Sequence, residues 1–301
     1  MANLKKRFFK VDLSPAVKRL EIITKGLVNT KAVGNYLSVF KGKGLEFAGY
    51  TNYNPQFDAS SIDWKATART GNVLVREYVE ERDINIFFIL DASYNMLFGS
   101  TDKLKIEYAI ELVAGLTHAA LESGDQVGFA LVSDQVIKKI HPQRGKKQFY
   151  IISRALLDVD LYGGGNFNFK EVADLLINYL KESTVVIIIS DFANFRPDEE
   201  EKLKLITKKF DTIGIMVKDP RDRTLPLDVG QVVISDTSGK KTMIVETELI
   251  KQAYEKEVKE KEKKVKDAFL KAGADFIDVQ TDKSYAQPII NLFRARALRW
   301  K

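Results

Sequence analysis

The chain has 301 residues, 45% of them apolar and 29% charged, with a net charge of +6, a composition typical of a globular protein with a sizeable core. Cysteine is absent and only two histidines occur, His118 and His141, which excludes disulfides and thiolate sites and argues against a histidine-based triad or zinc site. No apolar run approaches the roughly 20 residues of a membrane helix, and the charged start lacks the apolar segment of a signal peptide, so we expect a cytoplasmic protein without a membrane span.

The first 82 residues are predicted to form an N-terminal region with one helix and a small, mainly β part. Ser14 and Pro15 are typical of a helix start, and apolar residues at positions 16, 20, 23 and 27 share one face, which predicts a helix from about residue 15 to residue 30. Residues 35–80 instead carry short β-like runs separated by glycine and asparagine.

Strands and helices alternate over residues 83–301. The predicted strands occupy residues 84–90, 126–133, 183–191, 211–218 and 274–282, and the predicted helices residues 103–124, 146–159, 169–180, 199–210, 247–272 and 286–300. His118 falls within a helix and His141 in a loop before Pro142. Because parallel strands need crossover helices, this alternation predicts an α/β fold with a doubly wound, mostly parallel sheet, similar to a Rossmann fold.

Residues 230–246 interrupt the alternation. Two β runs flank the turn signal "DTSG", which predicts a hairpin that leaves the main sheet and is a candidate to pack on the N-terminal region. The highly charged helix at 247–272 has a narrow apolar stripe at positions 250, 254, 258, 265 and 269. That stripe indicates either one face on the sheet with a solvated opposite face, or a partner-binding helix.

Three predicted loops carry oxygen-bearing side chains at strand ends or helix starts. Asp91, Ser93 and Asn95 follow the first central strand, Asn166 lies in a glycine loop, and Asp191 follows another buried strand. In a doubly wound sheet such loops converge on one crevice, and carboxylate, hydroxyl and amide oxygens are ligands for Mg²⁺. Each residue alone is more often a turn or helix cap, and the glycine loop is not a phosphate loop because no Lys-Ser or Lys-Thr follows.

The pattern Asp-x-Ser-x-Asn, then a glycine-rich loop, then an aspartate after a buried strand resembles the metal-ion-dependent adhesion site of von Willebrand factor A domains. The run "GKGLEFAGYTNYNPQFDASSIDWKATARTGNVLVREYVEERD" resembles the signature of the domain-of-unknown-function 58 family. Later segments that also resemble that family are "GDQVGFALVSD", "YGGGNFNFKEV", "VIIISDF", "VKDPRDRTLPL" and "FIDVQTDKSYAQPIINLFRAR". The resemblance covers roughly residues 35–298.

The resemblance implies a binding protein rather than an enzyme. Proteins of this family are associated with MoxR-type AAA+ ATPases, which implies a chaperone-like or cofactor-inserting role on an unknown client protein. It also implies a Mg²⁺ or Mn²⁺ ion held by Asp91, Ser93, Asn95, Asn166 and Asp191, with one position open for an acidic side chain of a partner.

Three departures from the family pattern bear on the metal. Asn95 stands where the family usually has serine, Asn166 where it has threonine, and Phe167 where it has an acid. Two hypotheses stay open, a site that binds Mg²⁺ or Mn²⁺ and a retained fold with a degraded site. The departures favour the degraded site.

The segment "IDWKATART" supplies a second candidate surface. Asp63, Trp64, Lys65 and Arg69 are interpreted as a partner-binding patch. The structural alternative is that Trp64 packs against the main domain while Asp63 pairs with Arg69 or Arg76.

Two other function classes remain as alternatives. A Mg²⁺-dependent phosphohydrolase or nuclease would use Asp91 and Asp191, but no general base or phosphate cradle is evident. A nucleic-acid-binding protein would use the basic runs "LKKRFFK" and "RARALRWK", but no recognition module accompanies them. The basic ends are more typical of solvated termini.

Overall fold

The structure, a computed structural model, describes residues 45–54, 58–80, 85–181, 183–226, 230–235 and 242–299. The chain divides into two structural units, one over residues 40–84 and the other holding residues 85–301. The helix predicted at 15–30 and the turn "DTSG" lie outside the described residues.

The smaller unit contains an antiparallel strand pair and a short helix. Strand β1 (Leu45–Asn52) pairs with β2 (Leu74–Glu80), and helix α1 (Trp64–Thr70) lies between them in sequence. The strand pair agrees with the predicted β character, whereas α1 was not predicted. Seven residues are too few to display helical periodicity, and α1 is instead defined by its ends, with Asp63 as N-cap and Gly71 in the left-handed conformation at its carboxyl end.

The larger unit is the predicted α/β fold. Its main-sheet strands are β3 (Asn85–Asp91), β4 (Gln126–Val132), β5 (Val136–Gln143), β6 (Thr184–Ser190), β7 (Asp211–Lys218) and β10 (Asp275–Gln280). Its helices are α2 (Lys105–Glu122), α3 (Lys146–Leu156), α4 (Phe169–Tyr179), α5 (Glu200–Lys209), α6 (Pro220–Arg223), α7 (Thr247–Lys271) and α8 (Ala286–Arg299). The strand order is β10-β7-β6-β3-β4-β5, parallel throughout except for β5, which runs antiparallel to β4.

The prediction that His141 lies in a loop is wrong. His141 lies within β5, and its ring meets the ring of Tyr179 edge-on at a centroid distance of 5.3 Å. The strand was missed because Pro142 was read as a loop residue. Proline is tolerated in an edge strand, where one side needs no ladder hydrogen bonds.

Two glycines let phenylalanine rings pack against the middle of the sheet. A Cβ at Gly128 would lie 2.5 Å from the ring of Phe87, and one at Gly214 would lie 2.6 Å from the ring of Phe269. Both rings are buried, and each contributes roughly 1.5–3 kcal/mol to the fold by leaving water. The central strands are therefore buried on both faces, as their apolar runs predict.

Helix α7 agrees in part with the prediction that one of its faces packs on the sheet. Val265, Ala268 and Phe269 in its carboxyl-terminal half are buried, whereas Leu249 near its start is 78% exposed. The interpretation of one face on the sheet therefore holds for the carboxyl-terminal half.

The hairpin lies outside the main sheet, as predicted. Strand β8 (Gln231–Ser235) pairs antiparallel with β9 (Thr242–Glu246) in a two-stranded sheet of their own. Its packing on the N-terminal region stays a prediction. None of the described helices combines the length and apolar character that crossing a membrane would require.

A buried arginine on α8 joins the amino-terminal ends of two neighbouring strands. Arg296 is 2% exposed and donates hydrogen bonds to the carboxylates of Asp211, at the start of β7, and Asp275, at the start of β10. The guanidinium thereby fixes α8 to this edge of the sheet.

We expect Arg296→Ala to lower the free energy of unfolding by about 3 kcal/mol, because it leaves two carboxylates without their buried partner. Arg294, exposed on the same helix, is the matched control, and Arg294→Ala should change stability by less than about 0.5 kcal/mol. Urea unfolding of the two variants measures both values. Equal stabilities would contradict the role assigned to Arg296.

Candidate functional site

The candidate site lies where the strand order of the main sheet reverses. Strand β3 continues through α2 to β4 on one side, while β6 lies on its other side. The carboxyl ends of β3 and β6 therefore open onto the crevice in which doubly wound sheets bind ligands. Asp91 is the last residue of β3 and Asp191 directly follows β6, and both are buried.

Asp91 is held by its neighbours on both carboxylate oxygens. Its Oδ1 accepts from the backbone N–H of Ser93 at 2.8 Å, and its Oδ2 accepts from the hydroxyl of Ser190 at 2.5 Å. Burial, followed by the negative charge of Asp191, raises the pKa of Asp91 to about 7 against the opposing effect of these hydrogen bonds. Asp91 is therefore partly protonated near neutral pH.

Asp191 has the opposite electrostatic environment. Burial acts to raise its pKa, but the positive charges of Lys105 and Lys218 together with hydrogen bonds outweigh burial and lower the pKa below its usual value. Its Oδ2 accepts from the Lys105 ammonium at 2.7 Å and its Oδ1 from the backbone N–H of Ala193 at 2.9 Å. Asp191 therefore stays ionised.

Lys105 is a buried cation of this site, and the sequence analysis missed it. It is the first residue of α2, is 2% exposed, and contacts Asp191 at 2.7 Å and Asp222 at 2.9 Å. Burial acts to lower the pKa of Lys105, but the two carboxylates outweigh it and raise the pKa. A lysine in the first turn of a helix opposes the helix dipole, and this was the available signal that Lys105 has acidic partners.

Asp219 fixes the loops on the β7 side of the site and is fully hydrogen-bonded. It accepts from the backbone N–H and the hydroxyl of Ser100, from the N–H of Arg221 and from the hydroxyl of Thr281. These contacts join the loop after β3 to the ends of β7 and β10. Asp219 lies in the segment "VKDPRDRTLPL", but its structural role could not be inferred from sequence because Ser100 and Thr281 are far away in the chain.

The neutral residues predicted as metal ligands have different environments. Ser93 is buried, and its hydroxyl has no hydrogen-bond partner among the residues that the structure describes. Asn95 is half-buried in a 3-10 turn. Asn166 is exposed, and its Oδ1 accepts from the side chain of Asn194 at 3.1 Å. The structure thus brings Asp91, Ser93 and Asp191 together on a buried floor, with Asn166 on an exposed rim.

The glycine loop packs closely against a second acidic residue that the sequence analysis did not nominate. A Cβ at Gly165, which has a φ of +43°, would lie 2.4 Å from the carboxyl carbon of Asp134. Asp134 is exposed at the end of β4 and accepts from the hydroxyl of Ser133 at 2.8 Å. Its positive φ and this close approach both favour glycine at position 165.

The described donor set does not fit a divalent cation. A divalent ion bound to Asp191 would lie close to the ammonium of Lys105, which is 2.7 Å from the same carboxylate, and the two positive charges would repel each other. Among the described residues, no group of three His, Cys, Asp or Glu side chains is arranged to hold a metal ion. The unpartnered Ser93 hydroxyl alone does not make a Mg²⁺ site.

The second candidate surface lies on α1. Asp63 is buried and serves as N-cap, since its Oδ1 accepts from the N–H groups of Lys65 and Ala66 and its Oδ2 accepts from the Tyr50 hydroxyl. Trp64 is 68% exposed, and the alternative in which it packs against the main domain stays a prediction. Lys65 and Arg69 are exposed as well. Asp63 therefore positions the helix, and three exposed side chains follow it.

Comparison with known proteins identifies similar sequences and folds. A family model described as "Protein of unknown function DUF58" matches residues 49–264. An uncharacterized protein of Mycobacterium bovis is 27% identical over 229 residues, which cover 74% of this chain and 70% of that protein. The uncharacterized protein YeaD of Bacillus subtilis is 27% identical over 110 residues, covering 36% of this chain and 25% of that protein.

Solved structures with a similar fold include von Willebrand A domains. The conserved hypothetical protein BatB from Bacteroides thetaiotaomicron has a TM-score of 0.47 at 16% identity, covering 71% of this chain and 99% of that one. A von Willebrand factor type A protein from Catenulispora acidiphila has a TM-score of 0.42 at 11% identity, covering 75% of this chain and 44% of that one.

The raised pKa of Asp91 predicts a dependence of stability on pH. The folded chain holds this proton up to about pH 7, whereas the unfolded carboxyl releases it near 3.8, so stability falls as the pH rises between these values. Relative to Asp91→Asn, the wild-type free energy of unfolding should fall by about 1.4 kcal/mol per pH unit from about pH 5 to about pH 7 and then level off. Urea unfolding across this range measures the difference, and parallel profiles would contradict the raised pKa.

Proposed function

The chain belongs to the family described as protein of unknown function DUF58, and we propose that it is a non-enzymatic adaptor with a von Willebrand A-like domain and a degenerate metal-ion-dependent adhesion site. Its recognition surface is the edge of the sheet at the carboxyl ends of β3 and β6. The observation that carries the proposal is the buried ion pair of Lys105 and Asp191, which offsets the charge of Asp191 on the floor of the crevice.

The buried floor supports binding rather than catalysis. Asp91 is 0% exposed and Asp191 is 2% exposed, so neither carboxylate is presented to a substrate. A metal-dependent hydrolase needs carboxylates that hold the ion and leave an open position for water or substrate. Here the ammonium of Lys105 holds one oxygen of Asp191, and a backbone N–H holds the other.

The exposed rim above this floor has the character of an interaction surface. We define the recognition rim as Tyr94, Phe98, Asn166, Asn194 and Arg196, which lie on the loops around the crevice and are all exposed. Aromatic and arginine side chains dominate binding energy in protein interfaces, and amides add hydrogen bonds. A cleft of about 640 Å³ adjoins the rim at Asn166, Asn194 and Arg196.

The family resemblance supplies the identity of the proposed partner. We propose that the recognition rim engages a MoxR-type AAA+ ATPase in the cytoplasm and that the pair acts as a chaperone-like system in the assembly or maturation of a client complex. The patch formed by Trp64, Lys65 and Arg69, with Asp63 as its positioning residue, is proposed as a second partner surface on the smaller unit.

A pair of substitutions on the recognition rim tests the ATPase interaction. Tyr94→Ala with Phe98→Ala should weaken capture of the ATPase by at least about tenfold, since two interface aromatics together are worth more than about 1.4 kcal/mol. Tyr150, which is 73% exposed on α3, is the matched control, and Tyr150→Ala should bind as wild type does. The measurement is binding of purified ATPase to each immobilised variant.

Three outcomes would contradict this proposal. The first is a wild-type chain that recovers no MoxR-type ATPase from the cells that encode it. The second is Mg²⁺-dependent phosphoester hydrolysis that Asp91→Ala abolishes, which would favour the hydrolase. The third is specific nucleic-acid binding that persists at about 150 mM salt, where non-specific phosphate contacts weaken steeply.

Two substitutions on the second surface distinguish the structural role of Asp63 from the proposed binding role of Trp64. Asp63→Ala should lower the stability of the smaller unit by about 1 kcal/mol because it removes the N-cap of α1. Trp64→Ala should leave stability unchanged within about 0.5 kcal/mol, since the side chain is largely exposed, and should weaken partner binding. Urea unfolding measures the stability of each variant, and binding of purified ATPase to each immobilised variant measures recognition. Unchanged binding of Trp64→Ala would contradict the assignment of this patch as a partner surface.

A further inference from the structure

The cation in the crevice is supplied by the protein itself. Lys105 reaches in from the start of α2 and contacts two carboxylates that lie on other segments of the chain, Asp191 after β6 at 2.7 Å and Asp222 on α6 at 2.9 Å. One ammonium therefore joins three segments at the carboxyl edge of the sheet. A divalent ion in such a crevice would perform the same task by bridging carboxylates from separate loops.

Both the burial of Lys105 and its place at the start of a helix disfavour a positive charge on its side chain. The side chain is 2% exposed, and the helix dipole places partial positive charge at the first turn of α2. A buried ammonium is tolerated only when it is paired and hydrogen-bonded, and here the two carboxylates fulfil that condition. The ammonium and the carboxylates therefore depend on one another.

The remaining charges near the crevice complete the balance. The ammonium of Lys218, at the buried end of β7, is close enough for its charge to act on Asp191. Two ammonium groups thus offset the charges of the carboxylates of Asp191 and Asp222. This offset weakens the electrostatic attraction of the crevice for Mg²⁺ or Mn²⁺.

We propose that the ammonium of Lys105 replaces the divalent cation in this von Willebrand A-like crevice, so that its loops are held in place without a metal ion. The loops after β6 and β7 are then ordered in the free protein by a cation that cannot dissociate. This inference concerns how the site is held, and it stands whether or not the recognition rim binds an ATPase.

The first test uses the wild-type chain with Mg²⁺ and Mn²⁺ as the probes. Thermal unfolding should shift by less than about 1 °C on adding either ion to about 5 mM or on adding a chelator, because no site gains or loses an ion. Calorimetric titration with Mn²⁺ should show no saturable binding. Binding with a Kd below about 1 mM that Asp191→Asn abolishes would overturn the proposal.

The second test removes the ammonium. Lys105→Gln should lower the Tm by about 10 °C, since it leaves the buried Asp191 without its counter-charge. The matched control is Lys261→Gln, because Lys261 forms a 2.7 Å ion pair with Glu257 in which both side chains are mostly exposed. The control should shift the Tm by less than about 2 °C. Equal Tm values for the two variants would overturn the proposal.

A third variant covers the case in which Lys105→Gln does not fold. The double variant Lys105→Met with Asp191→Asn removes the ammonium and its buried carboxylate together. It should unfold at a higher temperature than Asp191→Asn alone, which leaves the buried ammonium without the nearer of its two carboxylates. A double variant no more stable than Asp191→Asn would overturn the pairing. These readouts do not involve the partner, so their failure is distinguishable from failure to bind an ATPase.

Discussion

The crevice of this protein depends on one buried ion pair, between the ammonium of Lys105 and the carboxylate of Asp191. Each charge would be costly to bury alone, and in the interior each stabilises the other. Asp222 adds a second contact to the ammonium and brings the end of β7 into the same cluster. Removal of Lys105 would leave the acidic residues at these strand ends without their shared counter-charge.

The sheet determines where this pair lies. Strands β3 and β6 are buried on both faces, so their polar residues can occur only where the strands end, and the reversal of strand order brings these ends to one crevice. Phe87 packs closely against Gly128 of the neighbouring strand, and Phe269 of helix α7 packs closely against Gly214 of β7. The geometry of the site is therefore a consequence of the apolar core.

Burial divides the crevice into a floor and a rim with different roles. The floor holds Asp91 and Asp191, whose pKa values move in opposite directions because the ammonium lies beside Asp191. The rim holds exposed aromatic, amide and arginine side chains, which suit the recognition of another protein. An adaptor needs a fixed shape more than a reactive group, and a floor held by the chain's own charges is consistent with the proposed function.

The sequence by itself determined the α/β class, the strands β3, β4, β6, β7 and β10, the long helices and the positions of Asp91 and Asp191, because two-sided apolar runs and helical periodicity are local signals. Strand β5 and helix α1 were not predicted, because an edge strand with Pro142 and a seven-residue helix carry weak local signals. Only the tertiary structure decided that Lys105 occupies the crevice. Its partners lie about 90 and 120 residues away in sequence, and only the folded sheet brings these charges together in one largely buried cluster.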